Sequence, residues 1–200
     1  MGDKKKRLNH SCYMNQREEI RGRKVVIRPL TRSTLEEVTS WPEYTGLYSC
    51  YNIQEFETQE KRDEWYARRV ETDLSASWFS IHSLDDRLIG LLNFYAQQNA
   101  LWHREAEIGI GIRADECNKG YGAEAITAFV DYIFSETGLT HIGLGARIWN
   151  KRALRCYEKC GFTRCGESTM KLNGKNVQFI EMELTKERFL ILRREKHEEV

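Results

Sequence analysis

The stretch CNKGYGAEAITAFVDYIF, residues 117–134, decides how this chain is read. Two glycines and a lysine stand directly before a run whose apolar positions, Ile126, Phe129, Val130, Ile133 and Phe134, follow the i, i+3, i+4, i+7, i+8 stripe of an amphipathic helix. Gly138 supplies its stop. Just upstream, EAEIGIGI alternates as a strand ending at Ile112, so the order is strand, glycine turn, helix starting near Ala123. The first-turn N–H groups and the positive end of the helix dipole then face whatever precedes them, which favours a phosphate-bearing ligand. Glycine allows the backbone to approach such a ligand closely, and Lys119 adds a cation at the rim. The spacing matches neither the Walker pattern nor the three-glycine dinucleotide fingerprint, and Gly-x-Gly before a helix also occurs as plain turn chemistry.

Downstream, THIGLGARI (140–148) is a strand reached after a helical crossover and so lies parallel to the strand before that helix. Asn150 caps the helix KRALRCYEKC, Gly161 closes it, and GESTMKLNGKNVQFIEMELT turns back on itself at Asn173-Gly174 as a hairpin. Upstream, WFSIHSL, RLIGLLNFYAQ and EAEIGIGI form an antiparallel meander. Before it, KVVIRPLT is a strand stopped by Pro29. STLEEVTSW is a helix opened by Ser33 and Glu36 in capping-box spacing, and TQEKRDEWYARRVETDL is a helix capped by Thr58. The expected fold is α+β, with a mixed, mostly antiparallel central sheet of about six to seven strands flanked by helices. One domain over 23–187 carries a basic arm, 1–22, and a charged tail, 188–200.

The chain has 200 residues, enough for one domain with a real core. It carries 31 basic and 30 acidic side chains, a balance that argues against nucleic acid as a partner. No apolar stretch approaches the roughly 18 residues of a membrane span. MGDKKKRLNHSCYMNQ has the charges of a signal peptide without its apolar segment, and Lys6 stands where myristoylation needs Ser or Thr. A cytoplasmic protein without membrane contact is expected. The six cysteines form no C-x-x-C pair, so no metal site is expected; Cys156, Cys160 and Cys165 read as small buried side chains rather than a sulfur cluster.

EIGIGI, CNKGYGAEA and IWNKRALRCYEKCGF resemble, in order and spacing, the acetyl-CoA-binding core of the GNAT N-acetyltransferase superfamily. The ending Asn-x-x-Ala-x-x-x-Tyr-Glu-Lys-x-Gly-Phe is similar to its RimJ/RimL-type branch, which includes protein N-terminal, polyamine and aminoglycoside acetyltransferases. The resemblance spans residues 24–185 and is most specific between 105 and 162. It implies acetyl-CoA as co-substrate, with Ile110, Gly111 and Ile112 pairing with the pantetheine arm as a neighbouring strand would. It also implies that Cys117, Asn118, Lys119, Gly120, Tyr121, Gly122 and Ala123 wrap the pyrophosphate. Asn150, beyond capping its helix, would reach the pantetheine, with Ala153 and Arg155 flanking the same arm. Cys117 departs from the pattern, which has Arg or Gln there; one side-chain contact is lost and the backbone cradle remains.

In the resemblance Tyr157 is the tyrosine facing the CoA sulfur, and a phenol with a pKa near 10 suits proton return to a thiolate. Its alternative is a half-buried aromatic on an amphipathic helix. For the base that deprotonates the amine, Glu107 lies just before the cofactor-pairing segment, on the strand face opposite Ile108 and Ile110. Glu105 shares that face, a water chain would also serve, and a solvated strand carboxylate is the bland reading. The acceptor is implied to bind against WPEYTGLYSCYNIQEFE (41–57), Trp102 and His103, where Glu43, Glu55 and Glu57 would suit a cationic amine or a peptide N-terminus. Two other functions fit the residues: an acyl-CoA binder without catalysis, which Cys117 permits, and a ribosome or nucleic-acid adaptor using the basic arm. Homodimers are common in such folds, and no residue here specifies one.

Overall fold

The computed structural model describes residues 19–52, 56–73, 76–99 and 104–198. Eight strands form one sheet: β1 (Ile20–Arg21), β2 (Val25–Pro29), β3 (Ala76–Ser83), β4 (Leu88–Asn99), β5 (Arg104–Ile112), β6 (His141–Arg147), β7 (Thr163–Leu172) and β8 (Lys175–Thr185), in the order β1-β2-β3-β4-β5-β6-β8-β7. Every neighbouring pair is antiparallel except β5 and β6. The extra strand beyond those expected is β1, whose Ile20 pairs with Ile27.

Helices α1 (Arg32–Val38) and α2 (Gln59–Tyr66, continued as a π turn over Ala67–Thr72) cover one face. There Leu30, Leu35, Val38, Phe56, Trp65, Leu88 and Leu91 form a small core. Helices α3 (Tyr121–Glu136), α4 (Lys151–Lys159) and α5 (Lys186–Glu198) contribute to the larger core on the other face. Helix α3 buries all five residues of the expected apolar stripe, and Phe129 packs edge-on against Phe79 and Phe94 of the sheet. Asn173 and Gly174 turn the β7–β8 hairpin with φ of 47° and 77°, the twist that matches the strands it joins.

Three boundaries differ from expectation. Helix α1 is capped by Thr31, whose side chain accepts the Thr34 N–H, and not by Ser33. The arm 1–22 does not stay outside the domain, because Ile20 is buried in β1; residues 1–18 lie outside the described residues. Residues 188–200 were expected as a charged tail, yet their described part is helical. Phe189 packs at a tilt against Phe134 and is 3% exposed, and Arg193 pairs with Asp131. Arg188 adds a hydrogen bond to the Gly161 carbonyl at 2.7 Å, so α5 is tied to the domain by polar as well as aromatic contacts.

The feature that matters for function is how little β5 and β6 touch. They pair only at Ala106 with Ile142 and Glu107 with Gly143. Beyond that vertex β5 stays with β4 through Ile112, while β6 stays with β8 through Arg147. The two strands therefore open as a wedge whose closed end is at Glu107. Because Arg113 N–H bonds back to Ile89, strand alternation turns the backbone groups of Ile110 and Ile112 away from β4, into the wedge.

The core that holds the wedge open should be costly to hollow: Phe129→Ala is expected to lose about 3–5 kcal/mol in denaturant unfolding. A loss below about 1 kcal/mol would contradict the packing described.

Candidate active site

A cleft of about 770 Å³ fills the wedge. Gly109 to Ile112 form one wall and Gly145 to Arg147 the other, with α4 and the segment around Tyr44 and Tyr51 closing it. A Cβ at Gly109 would fall 2.5 Å from Asn93 Oδ1, so a side chain there would require Asn93 to move.

At the mouth, a 3₁₀ turn over Ala114–Glu116 leads into the glycine loop. Asn118 and Gly120 both adopt left-handed backbone, with φ of 65° and 87°, and Gly120 serves as the N-cap of α3. The helix thus begins at Tyr121, two residues earlier than expected, with its first-turn N–H groups presented at the loop. A Cβ at Gly122 would meet only ordinary van der Waals neighbours, 3.5 Å from Ile112 and 3.7 Å from the Cys156 sulfur.

Loop position is fixed by a carboxylate that the sequence reading overlooked. Glu116, 2% exposed, accepts from Arg87 Nη1 at 2.5 Å and from Lys119 Nζ at 3.1 Å. Burial pushes its carboxyl up, but the hydrogen bonds from Lys119 and Arg87 outweigh it and hold the group below the usual carboxylate range. Lys119 is therefore tied back to Glu116 instead of standing free at the rim. A second cation comes from an unexpected place: Lys24 Nζ lies 3.9 Å from where a Gly120 Cβ would be.

Helix α4 presents Arg152, Ala153, Cys156 and Tyr157 to the cleft, the i, i+1, i+4, i+5 face. Arg155 falls on the opposite side, exposed and outside the cleft lining, and helical phase places Arg152 on the cleft side instead. Asn150 caps α4, its Oδ1 accepting the Ala153 N–H at 3.1 Å, while its Nδ2 donates to the Tyr51 hydroxyl at 3.0 Å. Tyr157 is 7% exposed, and burial pushes its phenol well above the ordinary value, with Cys156, Tyr51 and Cys160 adding to the rise.

Of the expected cofactor contacts, Ile110, Gly111, Ile112, Cys117, Asn118, Gly122, Asn150, Ala153 and Tyr157 line the cleft. Tyr121 and Ala123 pack against the main core. Glu107 is at the vertex, on the face opposite the buried Ala106 and Ile108, and is outside the cleft lining. Trp41, Glu43, Phe56 and Glu57 of the expected acceptor stretch do line it. Glu55, Trp102 and His103, and the Glu105 side chain, lie outside the described residues.

Two tyrosines from that stretch reach deeper than expected. Tyr44 donates its hydroxyl hydrogen to the Ile112 carbonyl and lies 3.9 Å from the Cys117 sulfur. Tyr51 stands between Asn150 and the guanidinium of Arg147.

The wedge, the outward backbone groups of Ile110 and Ile112, and a glycine loop at a helix N-terminus fit an extended amide-bearing arm ending in phosphates. The comparisons agree. A family model described as acetyltransferase (GNAT) domain matches residues 24–163. A probable N-acetyltransferase of Bacillus subtilis, YjcK, is 31% identical over 171 residues, 78% of this chain and 90% of that one. An aminoglycoside N(6′)-acetyltransferase of Klebsiella pneumoniae is 36% identical over 74 residues, 34% of this chain and 37% of that one. A solved spermidine N-acetyltransferase from Vibrio cholerae, in complex with CoA and spermine, superposes with a TM-score of 0.63 at 22% identity, covering 83% of this chain and 98% of that chain. The chain belongs to the GNAT acetyltransferase domain family.

Replacing Glu116 with Gln should cost about 1.5–3 kcal/mol, the range for hydrogen bonds to a charged group. Since the folded pKa is depressed, this contribution is present above the ordinary value of about 4.3 and is lost as pH falls through the folded value. Unfolding measured between pH 7 and pH 3 should show the mutant difference shrinking toward acid; a constant difference would contradict the assignment.

Proposed function

We propose that this protein is an acetyl-CoA-dependent N-acetyltransferase of the RimJ/RimL type, passing the acetyl group directly to a primary amine. The acceptor classes that suit it are a small polyamine-like amine, an aminoglycoside or a protein N-terminus. The observation that carries the reading is the β5–β6 wedge with Tyr157 on its wall and the glycine loop at its mouth.

Acetyl-CoA supplies an activated thioester. The open backbone edge at Ile110 and Ile112 binds the pantetheine amides as a missing strand would, and the N–H groups of the loop receive the pyrophosphate. Lys24, beside Gly120, adds a cation that pairs with no carboxylate among the described residues, whereas Lys119 is held by Glu116. Tyr157 is protonated at neutral pH, as an ordinary phenol is, and gives that proton to the departing thiolate; burial raises its pKa and so opposes the transfer, which the developing thiolate charge must drive.

The acceptor amine, with an ordinary pKa of about 10.4, must lose a proton before attack. Glu107, at the wedge vertex and on the α1–α2 face of the sheet, takes that proton directly or through water. The six thiols are not required as nucleophiles in a direct transfer.

Tyr157→Phe should lower kcat by about 100-fold or more, with acetyl-CoA affinity changed less than about threefold. Unchanged turnover would remove Tyr157 from the chemistry. Glu107→Gln should abolish the acidic limb of the pH–rate profile, measured by thiol release from acetyl-CoA; a profile identical to the wild type would assign the base elsewhere.

A further inference from the structure

We propose that Arg147 anchors an anionic group of the acceptor, so that the preferred substrates are amines that also carry a carboxylate, rather than pure polycations. This deepens the acetyl-transfer reading and rests on it.

Along β6, Ile142, Leu144 and Ala146 enter the main core, so alternation turns Gly143, Gly145 and Arg147 to the opposite face. That is the face of α1 and the 41–57 stretch, and Arg147 lines the cleft there. Its guanidinium is held by aromatic rings, 5.1 Å from the centroid of Tyr51 and 5.7 Å from that of Trp149. Nη1 donates to the Cys50 sulfur at 2.9 Å. A thiol is a weak acceptor, and a guanidinium has five donors in a planar fork. The group is therefore oriented without being consumed.

Several arginines elsewhere on the chain are paired with carboxylates. Arg28 bridges Glu19 and Asp86, Arg32 bridges Asp63 and Glu71, and Arg113 holds Asp115. Among the described residues no carboxylate makes such a pair with Arg147. Glu181, on the neighbouring strand opposite Gly145, has its carboxylate beside that glycine and accepts from the Ser168 hydroxyl. A second guanidinium, Arg152, lines the same cleft, stacked 4.4 Å over Tyr48.

Among the described residues neither guanidinium is paired with a carboxylate, and the two place positive charge beside Tyr48, Tyr51 and Trp149, where an anionic group is favoured. Of the carboxylates in the lining, Glu57 is bonded to Lys61 at 3.0 Å and Glu116 to Arg87 and Lys119, while Glu43 completes the set. A fork pre-oriented by aromatic faces is the geometry that takes a carboxylate bidentately.

The test titrates the CoA-saturated protein with ω-amino carboxylates and their matched amides, and follows CoA release from acetyl-CoA with the same compounds. At least one carboxylate should bind about tenfold or more tightly than its amide. Arg147→Gln should bring that ratio within about threefold, and Arg147→Lys should restore part of it, while acetyl-CoA affinity stays within about threefold of wild type. Amides that bind as well as the acids, or no binding of either, would overturn the proposal. So would a tenfold loss of acetyl-CoA affinity in Arg147→Gln, which would assign the guanidinium to a cofactor phosphate. Selective binding without CoA release would leave the anion subsite standing and remove the acetyl-transfer reading instead.

Discussion

Everything proposed for this protein depends on a pairing that is not made. Parallel strands β5 and β6 share two residue pairs and then separate, each remaining bonded to its other neighbour. A sheet interior normally uses every backbone donor and acceptor, because leaving them unpaired away from water is costly. Here the edge at Ile110 and Ile112 is left for another partner, and Tyr44 takes the Ile112 carbonyl. Helices α3 and α4 brace the two sides: α3 follows β5 through the glycine loop, and α4 follows β6 through Asn150. The wedge is therefore stabilised by the cores that flank it, not by contacts within it.

The loop at the mouth shows how charge and backbone geometry are combined. Left-handed Asn118 and Gly120 bend the chain so that α3 opens toward the cleft, and buried Glu116 holds that bend through Arg87 and Lys119. The carboxylate offsets the cations that fix the loop, so the attraction for phosphate comes mainly from the helix N–H groups and from Lys24. Cys117, where relatives are expected to carry Arg or Gln, faces the Ile112 and Arg113 carbonyls, with its sulfur 3.5 Å and 3.4 Å away. It closes the loop onto the strand and leaves the backbone cradle intact.

Much of this was readable in the sequence wherever the cause is local. The stripe of α3, the Asn150 cap, the Gly161 stop and the Asn173-Gly174 turn are short-range signals, and each is where the pattern placed it. Features set by tertiary contact were not readable. The two-residue β1 exists because Ile20 finds Ile27, and α5 because Phe189 finds Phe134. The same division runs through the site. The glycine loop and Tyr157 each sit in a short contiguous motif, CNKGYGAEA and IWNKRALRCYEKCGF, whereas Arg147 meets Cys50 across 97 positions and Asn150 meets Tyr51 across 99. Arg155 was misjudged because helical phase, not proximity to Asn150, selects which side of α4 faces the cleft.

The most direct test of the central claim is a crystal structure of the protein with CoA. The account predicts pantetheine lying in the wedge, its amides bonded to the backbone of Ile110 and Ile112, with the pyrophosphate over the N–H groups at the start of α3 and the sulfur near the Tyr157 hydroxyl. CoA bound on another surface, or a wedge closed by continued β5–β6 pairing beyond Glu107, would contradict it.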